Sequence, residues 1–445
     1  MRRSVRASCG LSFEKKDGNM DVNCKTYKTY VEILKRELVV AMGCTEPIAV
    51  AFCAARAREI LGAMPEKVYI QASGNIIKNV KSVIVPHTNG LRGLEAAAAV
   101  GVFYGNASRE LEVISDVTES EACSVSERMR ELCISVSPLS SRHVLDLVVT
   151  VSAGERSVAV HIEDEHTNVV EIIENGRCVY TDTAKKSDGE NDSVDYGLLK
   201  ICDIVDFANT LNIADVEGVI SRQIKCNTAI SDKGLNNDFG ARIGQVLLKR
   251  GNVIRIRACA AAAAGSDARM GGCDMPVVIC SGSGNQGMTA SLPVIEYAKH
   301  YGKTDDELYR ALVVSNLVTL HLKHGIGRLS AYCGAVSAGV GAGAGIAYLL
   351  DGSLDAIDHT IVNALAMSSG IICDGAKASC AAKISMSVDA GIMGYDMYCE
   401  GCEFYAGDGL VSRGVERTID NISVLGHDGM KETDKKIIEL MTGSC

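Results

Sequence analysis

The first clear pattern along the chain is a helical repeat of apolar residues. Tyr30, Ile33 and Leu34 follow the i, i+3, i+4 spacing of one helix face. Gly43 then favours a helix end, and the Ala-rich apolar residues 48–61 predict a second helix. The beginning of the folded chain is therefore predicted to be helical.

The pattern then changes to short stretches of β-branched residues, which are typical of strands. Strands are predicted over residues 67–72, 81–85, 131–136, 143–151, 157–163, 169–173 and 178–180. Residues 91–104 predict a helix among them. This part of the chain has the pattern and the size of one α+β module.

Ala- and Gly-rich helical patterns dominate the rest of the chain. Helices are predicted over residues 199–208, 216–229, 240–250, 305–323, 330–350 and 356–370. The fold class predicted from these patterns is α+β, with a middle α+β module and a larger, mainly helical domain.

A chain of 445 residues is too long for one ordinary core, so several units are expected. They are a poorly ordered extension at 1–26, N-terminal helices at 27–64, the α+β module at 65–180, a polar linker at 181–196 and the mainly helical domain at 197–445. Met20 is as plausible a start of the folded protein as Met1.

Charge and cysteine content restrict the class of protein. A net charge of −10 argues against a nucleic-acid partner, because such binding requires a basic surface. The 18 cysteines occur without a secretory signal, in a chain far larger than disulfide-rich scaffolds. We therefore expect reduced cysteines in a cytoplasmic protein, some of which bind a ligand. Assembly into a homo-oligomer is left open by the sequence.

One uncharged segment, residues 329–350, has the length of a membrane span. It contains five glycines and several Ala and Ser residues, and only its last part is strongly apolar. A buried helix packed closely against its neighbours is the favoured interpretation.

Several cysteines have the spacing of metal ligands. Cys373 and Cys380 form a C-x6-C pair, with Cys333 forty residues upstream of the first. The pairs Cys273/Cys280 and Cys399/Cys402 are spaced equally well or better. Thiolates bind iron and iron–sulfur clusters, but spacing alone does not separate these candidates from ordinary buried cysteines.

A Gly-rich loop over residues 281–287 follows a predicted strand and precedes a predicted helix. Its backbone N–H groups are suited to binding an anion such as a substrate carboxylate, and Ser283, Gly284 and Asn285 are the predicted substrate-binding residues. It is a poor dinucleotide fingerprint, because no βαβ unit with a suitably placed acidic residue follows.

Cys44 stands just before Pro47, which fits the first turn of the second predicted helix. The positive end of the helix dipole would favour a thiolate at Cys44, which could then act as a base, a nucleophile or a metal ligand. A purely structural cysteine is the alternative.

Five segments in order carry a family resemblance. They are MGCTEPIAV at 42–50, GNIIKNV at 74–80, SGSGNQG at 281–287, GRLSAYCG at 327–334 and ICDGAKASCA at 372–381. Together they resemble the L-cysteine desulfidase family, whose C-terminal half is similar to the α domain of bacterial iron–sulfur L-serine dehydratases. The resemblance spans residues 27–426.

The resemblance implies that Cys333, Cys373 and Cys380 bind a [4Fe–4S] cluster and that Cys44 is the catalytic base. It implies a small amino acid, L-cysteine, as the substrate, with sulfide, ammonia and pyruvate as products and no pyridoxal phosphate. Three ligands leave one iron open as a Lewis acid, where we expect the substrate's carboxylate and thiol to bind. The 281–287 loop would hold the carboxylate or the amino group.

Two other functions stay open at this point. L-serine differs from L-cysteine in one atom, so an L-serine dehydratase using the same cluster is the nearest alternative. A non-catalytic electron carrier or sensor is the alternative of another class, and a persistent fourth protein ligand would favour it. In the serine dehydratase relatives a C-terminal cysteine can occupy the open iron, and Cys445 is a candidate for that role.

Overall fold

The computed structural model of the chain describes residues 20–182, 194–327 and 329–443. Residues 1–19 of the predicted extension and residues 183–193 of the predicted linker lie outside the described residues. The predicted domain boundaries therefore stay predictions. The described chain is 60% helical and includes a six-stranded mixed sheet, which confirms the predicted α+β class.

The N-terminal region contains two helices joined by a short strand. These elements are α1 (Lys25–Glu37), β1 (Val40–Met42) and α2 (Thr45–Leu61). The helices pack into different cores: Tyr30 of α1 lies edge-on against Phe207, whereas Ile48 of α2 lies in the core beneath the sheet. The chain thus passes between the two cores just before Cys44.

The middle region forms the sheet and the helices that cover it. Its elements are β2 (Lys67–Ala72), α3 (Gly74–Val80), α4 (Gly93–Tyr104), α5 (Glu119–Arg128), β3 (Cys133–Pro138), β4 (Asp146–Ala153), β5 (Arg156–Glu163), β6 (Val169–Glu174) and β7 (Arg177–Thr181). The strand order is β3-β2-β4-β5-β6-β7, and only the β2–β3 pair is parallel in this sheet of described residues. Residues alternate between buried and more exposed along β2, so α2 and α4 bury one face.

The remaining region is a bundle of helices with one short strand. Its elements are α6 (Ile201–Thr210), α7 (Glu217–Asn236), α8 (Ile243–Leu248), α9 (Ile254–Met270), β8 (Pro276–Val278), α10 (Gly284–Tyr301), α11 (Asp305–Ile326), α12 (Gly334–Leu350), α13 (Leu354–Ser368), α14 (Cys380–Cys399), α15 (Val415–Val424) and α16 (Lys431–Thr442). A π-helical turn, Leu425–Gly429, joins α15 to α16. β8 pairs antiparallel with β1, which ties the bundle to the N-terminal region.

The predicted strand at 81–85 is wrong. α3 runs to Val80, and the chain then turns, with an isolated bridge between Ile84 and Arg92. The β-branched residues there are buried by packing between the two cores rather than by a sheet: Val83 packs beside Cys44. Burial explains the apolar pattern without a strand.

The uncharged segment at 329–350 forms α12, a helix whose residues are almost all buried. No helix within the described ranges combines the length and the apolar character that crossing a membrane requires. The glycines of α12 allow close packing instead. A Cβ on Gly339 would lie 2.4 Å from the carbonyl oxygen of Ser387, and a Cβ on Gly391 of α14 would lie 2.2 Å from that of Gly339.

Replacing Gly391 by Ala should therefore separate α12 from α14. We expect the free energy of unfolding to fall by about 1–3 kcal/mol, the usual cost of overpacking a well-packed core. Gly218→Ala in α7 is the matched control, because a Cβ there meets nothing within 4 Å and Ala favours a helix. Urea unfolding followed by circular dichroism measures both variants. Equal stability of the two would contradict backbone contact between α12 and α14.

Candidate active site

A cavity of about 720 Å³ lies between the sheet module and the helical bundle. Four helices begin at its wall: Cys44 is the N-cap of α2, Ser283 of α10 and Cys333 of α12, and α14 begins with Cys380. Helix N-termini carry partial positive charge and unpaired N–H groups, so this wall favours bound anions and thiolates. The cavity is within the size range of small-molecule sites.

Cys333 and Cys373 are brought together by backbone pairing. Tyr332 and Ile372 form an antiparallel bridge, the N–H of Cys333 donates to the Ile371 carbonyl at 3.1 Å, and the N–H of Cys373 donates to the Ala331 carbonyl at 2.7 Å. Two segments forty residues apart in the sequence are thereby fixed side by side at the cavity.

Cys380 reaches the same cavity because the loop before α14 packs closely on α3. Gly375 has φ +90°, and a Cβ there would lie 2.3 Å from the carbonyl oxygen of Lys78. Cys333 is buried, whereas Cys373 and Cys380 are partly buried. All three predicted ligands line the cavity together with Cys44.

The three sulfur atoms do not all lie within 4.8 Å of one another. A single tetrahedral zinc ion with Zn–S bonds of about 2.3 Å needs its sulfurs roughly 3.8 Å apart. In an iron–sulfur cluster each cysteine binds a different iron, so the ligands stand farther apart. Cys333 and Cys373 are hydrogen-bonded to each other, so it is the donor set of three thiols, rather than the distances between them, that fits an iron–sulfur cluster.

Basic side chains surround the three cysteines, and each of these cations is paired. Lys78 donates to Asp434 of α16 at 2.6 Å, Lys377 lies 2.6 Å from Asp374, and Lys383 forms a third ion pair, also with Asp374. The hydrogen bond with Cys333 lowers the pKa of the Cys373 thiol, and the charges of Lys78 and Lys383 act in the same direction. The pKa values of the Cys333 and Cys380 thiols are raised, chiefly by the hydrogen bond to Cys373 and by burial respectively, so Cys373 is the one of the three whose surroundings favour a thiolate.

Cys44 faces a buried carboxylate. Its thiol donates to Oε2 of Glu46 at 3.2 Å, and Nδ2 of Asn79 donates to Oε1 of the same side chain at 2.9 Å. Burial alone would raise the pKa of Glu46, but the charge of His166, the Cys44 thiol and Arg269 outweigh it and lower that pKa. Glu46 is therefore an ionised carboxylate inside the cavity wall.

The structure corrects one expectation for Cys44. The residue does stand at a helix N-terminus, but burial first and the Glu46 carboxylate second raise the pKa of its thiol well above the ordinary value. The charge of Arg269 opposes this shift without cancelling it. The helix dipole contributes up to about 2 kcal/mol at a buried position, which is less than the cost of burying a thiolate beside an anion.

The 281–287 loop is a tight turn that leads directly into α10. Ser281 and Gly282 have φ values of +50° and +71°, and the N–H of Ser283 donates to the Cys280 carbonyl at 3.1 Å. Ser283 can therefore reach a ligand through its hydroxyl, but not through its backbone N–H. Ser283 and Asn285 line the cavity, while Gly284 is the first residue of α10.

Pairing of β1 with β8 sets the position of this loop relative to Cys44. The strands lead into the two segments, and the Thr45 hydroxyl donates to the Gly282 carbonyl at 2.9 Å. The predicted base and the predicted substrate loop thus lie side by side.

Sequence reasoning missed Arg269, which also lines the cavity and is 2% exposed. It lies in the last turn of α9, a helix buried over most of its length and therefore without an amphipathic signal. Three further residues of the site lie in the motifs that carry the family resemblance but had no predicted role: Glu46, Lys78 and Asn79.

The other cysteine pairs do not line this cavity. Cys273 and Cys280 are buried, and Cys399 and Cys402 are exposed. Cys445, the candidate cap of an open iron, lies outside the described residues.

Comparison with known proteins gives the family. Residues 108–439 match the family model described as serine dehydratase alpha chain. A UPF0597 protein of Desulfitobacterium hafniense is 53% identical, over 96% of this chain and 99% of the relative. UPF0597 proteins of Lachnoclostridium phytofermentans and Finegoldia magna are 47% and 46% identical, each over 93% of this chain and 99% of the relative.

The matched region contains all three cysteines proposed to bind a cluster, together with Arg269 and the 281–287 loop. The chain therefore belongs to the serine dehydratase alpha chain family, and it is similar over nearly its whole length to UPF0597 proteins.

Proposed function

We propose that this protein is an iron–sulfur lyase that degrades L-cysteine to hydrogen sulfide, pyruvate and ammonia. The observation that carries the proposal is the convergence of Cys333, Cys373, Cys380 and Cys44 on one cavity built from helix N-termini. Membership of the serine dehydratase alpha chain family supports a lyase that acts on a small amino acid. The resemblance of the five motifs to cysteine desulfidases supports L-cysteine.

Cys333, Cys373 and Cys380 would hold a [4Fe–4S] cluster in this protein. When bound, the cluster would supply a Lewis-acidic iron, because three protein ligands leave one iron without a fourth. Every cysteine within the described ranges is free, which supports a reduced compartment such as the cytoplasm.

Cys44 would remove the substrate's α-proton in its thiolate form. Its raised pKa makes the thiolate scarce at neutral pH but strongly basic, which suits a weakly acidic C–H bond. Glu46 holds the thiol through the 3.2 Å hydrogen bond and so fixes the sulfur at the cavity wall. Asn79 in turn orients Glu46.

The reaction balances without a further oxidant or reductant. The Cα–H bond breaks and its proton passes to the Cys44 sulfur. The electron pair forms the Cα–Cβ double bond as the Cβ–S bond breaks, and sulfur leaves with its pair as sulfide. The aminoacrylate that remains tautomerises, and one water molecule then converts it to pyruvate and ammonia.

L-serine dehydration is the second candidate, and the family match favours it specifically. The same residues would act, with hydroxide as the leaving group in place of sulfide.

Each of the substitutions Cys333→Ser, Cys373→Ser and Cys380→Ser should reduce cluster incorporation during anaerobic reconstitution, because serine is a much weaker ligand for cluster iron than a thiolate. Iron content and visible absorbance measure the effect. Cys402→Ser is the matched control, because Cys402 is exposed and does not line the cavity. Full cluster content in all three variants would refute the ligand assignment.

Replacing Cys44 by Ala should lower kcat by about 10²–10⁴-fold, the usual contribution of a general base. The absorbance of the cluster should stay largely intact, because Cys44 is not one of the proposed ligands. Activity and absorbance are measured on the same preparation. Loss of both together would make Cys44 a ligand rather than a base.

The reconstituted full chain, assayed with L-cysteine and with L-serine, should show the higher kcat/KM for L-cysteine. Sulfide and pyruvate are quantified separately, so that each reaction has its own product. A higher kcat/KM for L-serine would replace the first proposal by the second. Turnover of neither amino acid, with the cluster present, would favour a non-catalytic cluster protein.

A further inference from the structure

Arg269 carries a guanidinium group that lacks part of its expected hydrogen bonding. The side chain is 2% exposed, and its Nε donates to the Gly43 carbonyl at 2.8 Å. Its Nη2 is buried and finds no acceptor among the described residues. A buried charge in this state costs several kcal/mol, so proteins seldom keep one without a partner.

The other cations beside the three cysteines are already neutralised. Lys78, Lys377 and Lys383 each form an ion pair with an aspartate. Arg269 has no carboxylate within the 4.0 Å of an ion pair among the described residues. Glu46 lies near enough for Arg269 to lower its pKa, but Glu46 is already held by Cys44 and Asn79.

The chain is also shaped to accommodate this guanidinium. A Cβ on Gly284 would lie 2.5 Å from Nε of Arg269 and 3.0 Å from its Cζ. The glycine at the start of α10 therefore leaves space for Arg269 beside the substrate loop. Two further buried atoms of that loop, Oδ1 of Asn285 and Oε1 of Gln286, have no donor among the described residues.

We propose that Nη2 of Arg269 binds the α-carboxylate of the amino-acid substrate, and that the amide oxygens of Asn285 and Gln286 accept from its ammonium group. One donor and two acceptors, all without partners and all in one cavity, match the two charged groups of a zwitterion. The inference rests on the proposed function for the identity of the ligand as an amino acid. It assigns the carboxylate to Arg269 and the amino group to the loop.

The probe is L-alanine, which has both charged groups but no β-substituent to eliminate, and isothermal titration calorimetry measures its binding to the reconstituted full chain. Arg269→Gln should weaken L-alanine binding by about 10- to 100-fold, the loss of one hydrogen bond to a charged group. L-alaninamide, which lacks the carboxylate, should bind weakly to the wild-type protein and equally weakly to the variant.

Two further variants test the same contact independently and control for general effects of substitution. Gly284→Ala keeps the charge of Arg269 but displaces the guanidinium, so it should also weaken L-alanine binding, even where Arg269→Gln fails to fold. Arg255→Gln is the matched control, because Arg255 lies on the same helix but is paired with Asp389 and Asp396 away from the cavity.

Unchanged L-alanine affinity in Arg269→Gln and Gly284→Ala would overturn the inference, and so would an equal loss for L-alanine and L-alaninamide. Absence of L-alanine binding to the wild-type protein would overturn it as well. The proposed function fails separately: a protein that binds L-alanine through Arg269 but eliminates neither L-cysteine nor L-serine would keep the inference and lose the lyase.

Discussion

Close contact between helix backbones is the constraint on which the site depends. Glycines at helix crossings leave no room for a Cβ: at Gly341 it would lie 2.5 Å from the carbonyl oxygen of Ser315, and at Gly287 it would lie 2.1 Å from that of Val278. These contacts fix α12 against α11 and α10 against β8. Four helices can then begin at one cavity, where each adds partial positive charge.

A cavity wall that gathers the positive ends of four helices is destabilising unless anions lie against it. The structure meets part of the cost with its own carboxylates, since Asp434 pairs with Lys78 and Asp374 pairs with Lys377 and Lys383. The thiols of three cysteines and the guanidinium of Arg269 are left facing the cavity. A buried guanidinium nitrogen without an acceptor among the described residues, as at Arg269, is typical of a site organised in advance for its ligand.

Much of the fold could be predicted from local pattern. The predicted strand at 67–72 matches β2, and the helix predicted from Tyr30, Ile33 and Leu34 is α1, because each element has one buried and one exposed face. α9 was missed because a helix buried on most sides, with the run of alanines at 260–264, has no period to detect. The strand predicted at 81–85 is wrong for a related reason. Buried β-branched residues outside a sheet give the same apolar sequence pattern as a strand.

The site itself could be predicted only in part. Spacing alone does not distinguish Cys333, Cys373 and Cys380 from the other cysteine pairs of the chain. Only the motifs around them do. Backbone pairing across forty residues brings Cys333 to Cys373, and no local pattern encodes such a contact. The pKa of Cys44 depends on the Glu46 carboxylate and on burial, which both follow from the assembled structure.

The central claim is that three cysteines hold a cluster with one iron left for the substrate. Mössbauer spectroscopy of the full chain, reconstituted anaerobically with iron-57, tests it most directly before and after addition of L-cysteine. The account predicts that about a quarter of the iron signal changes on addition, because one of the four irons lacks a protein ligand. A spectrum in which no iron responds to L-cysteine would contradict it.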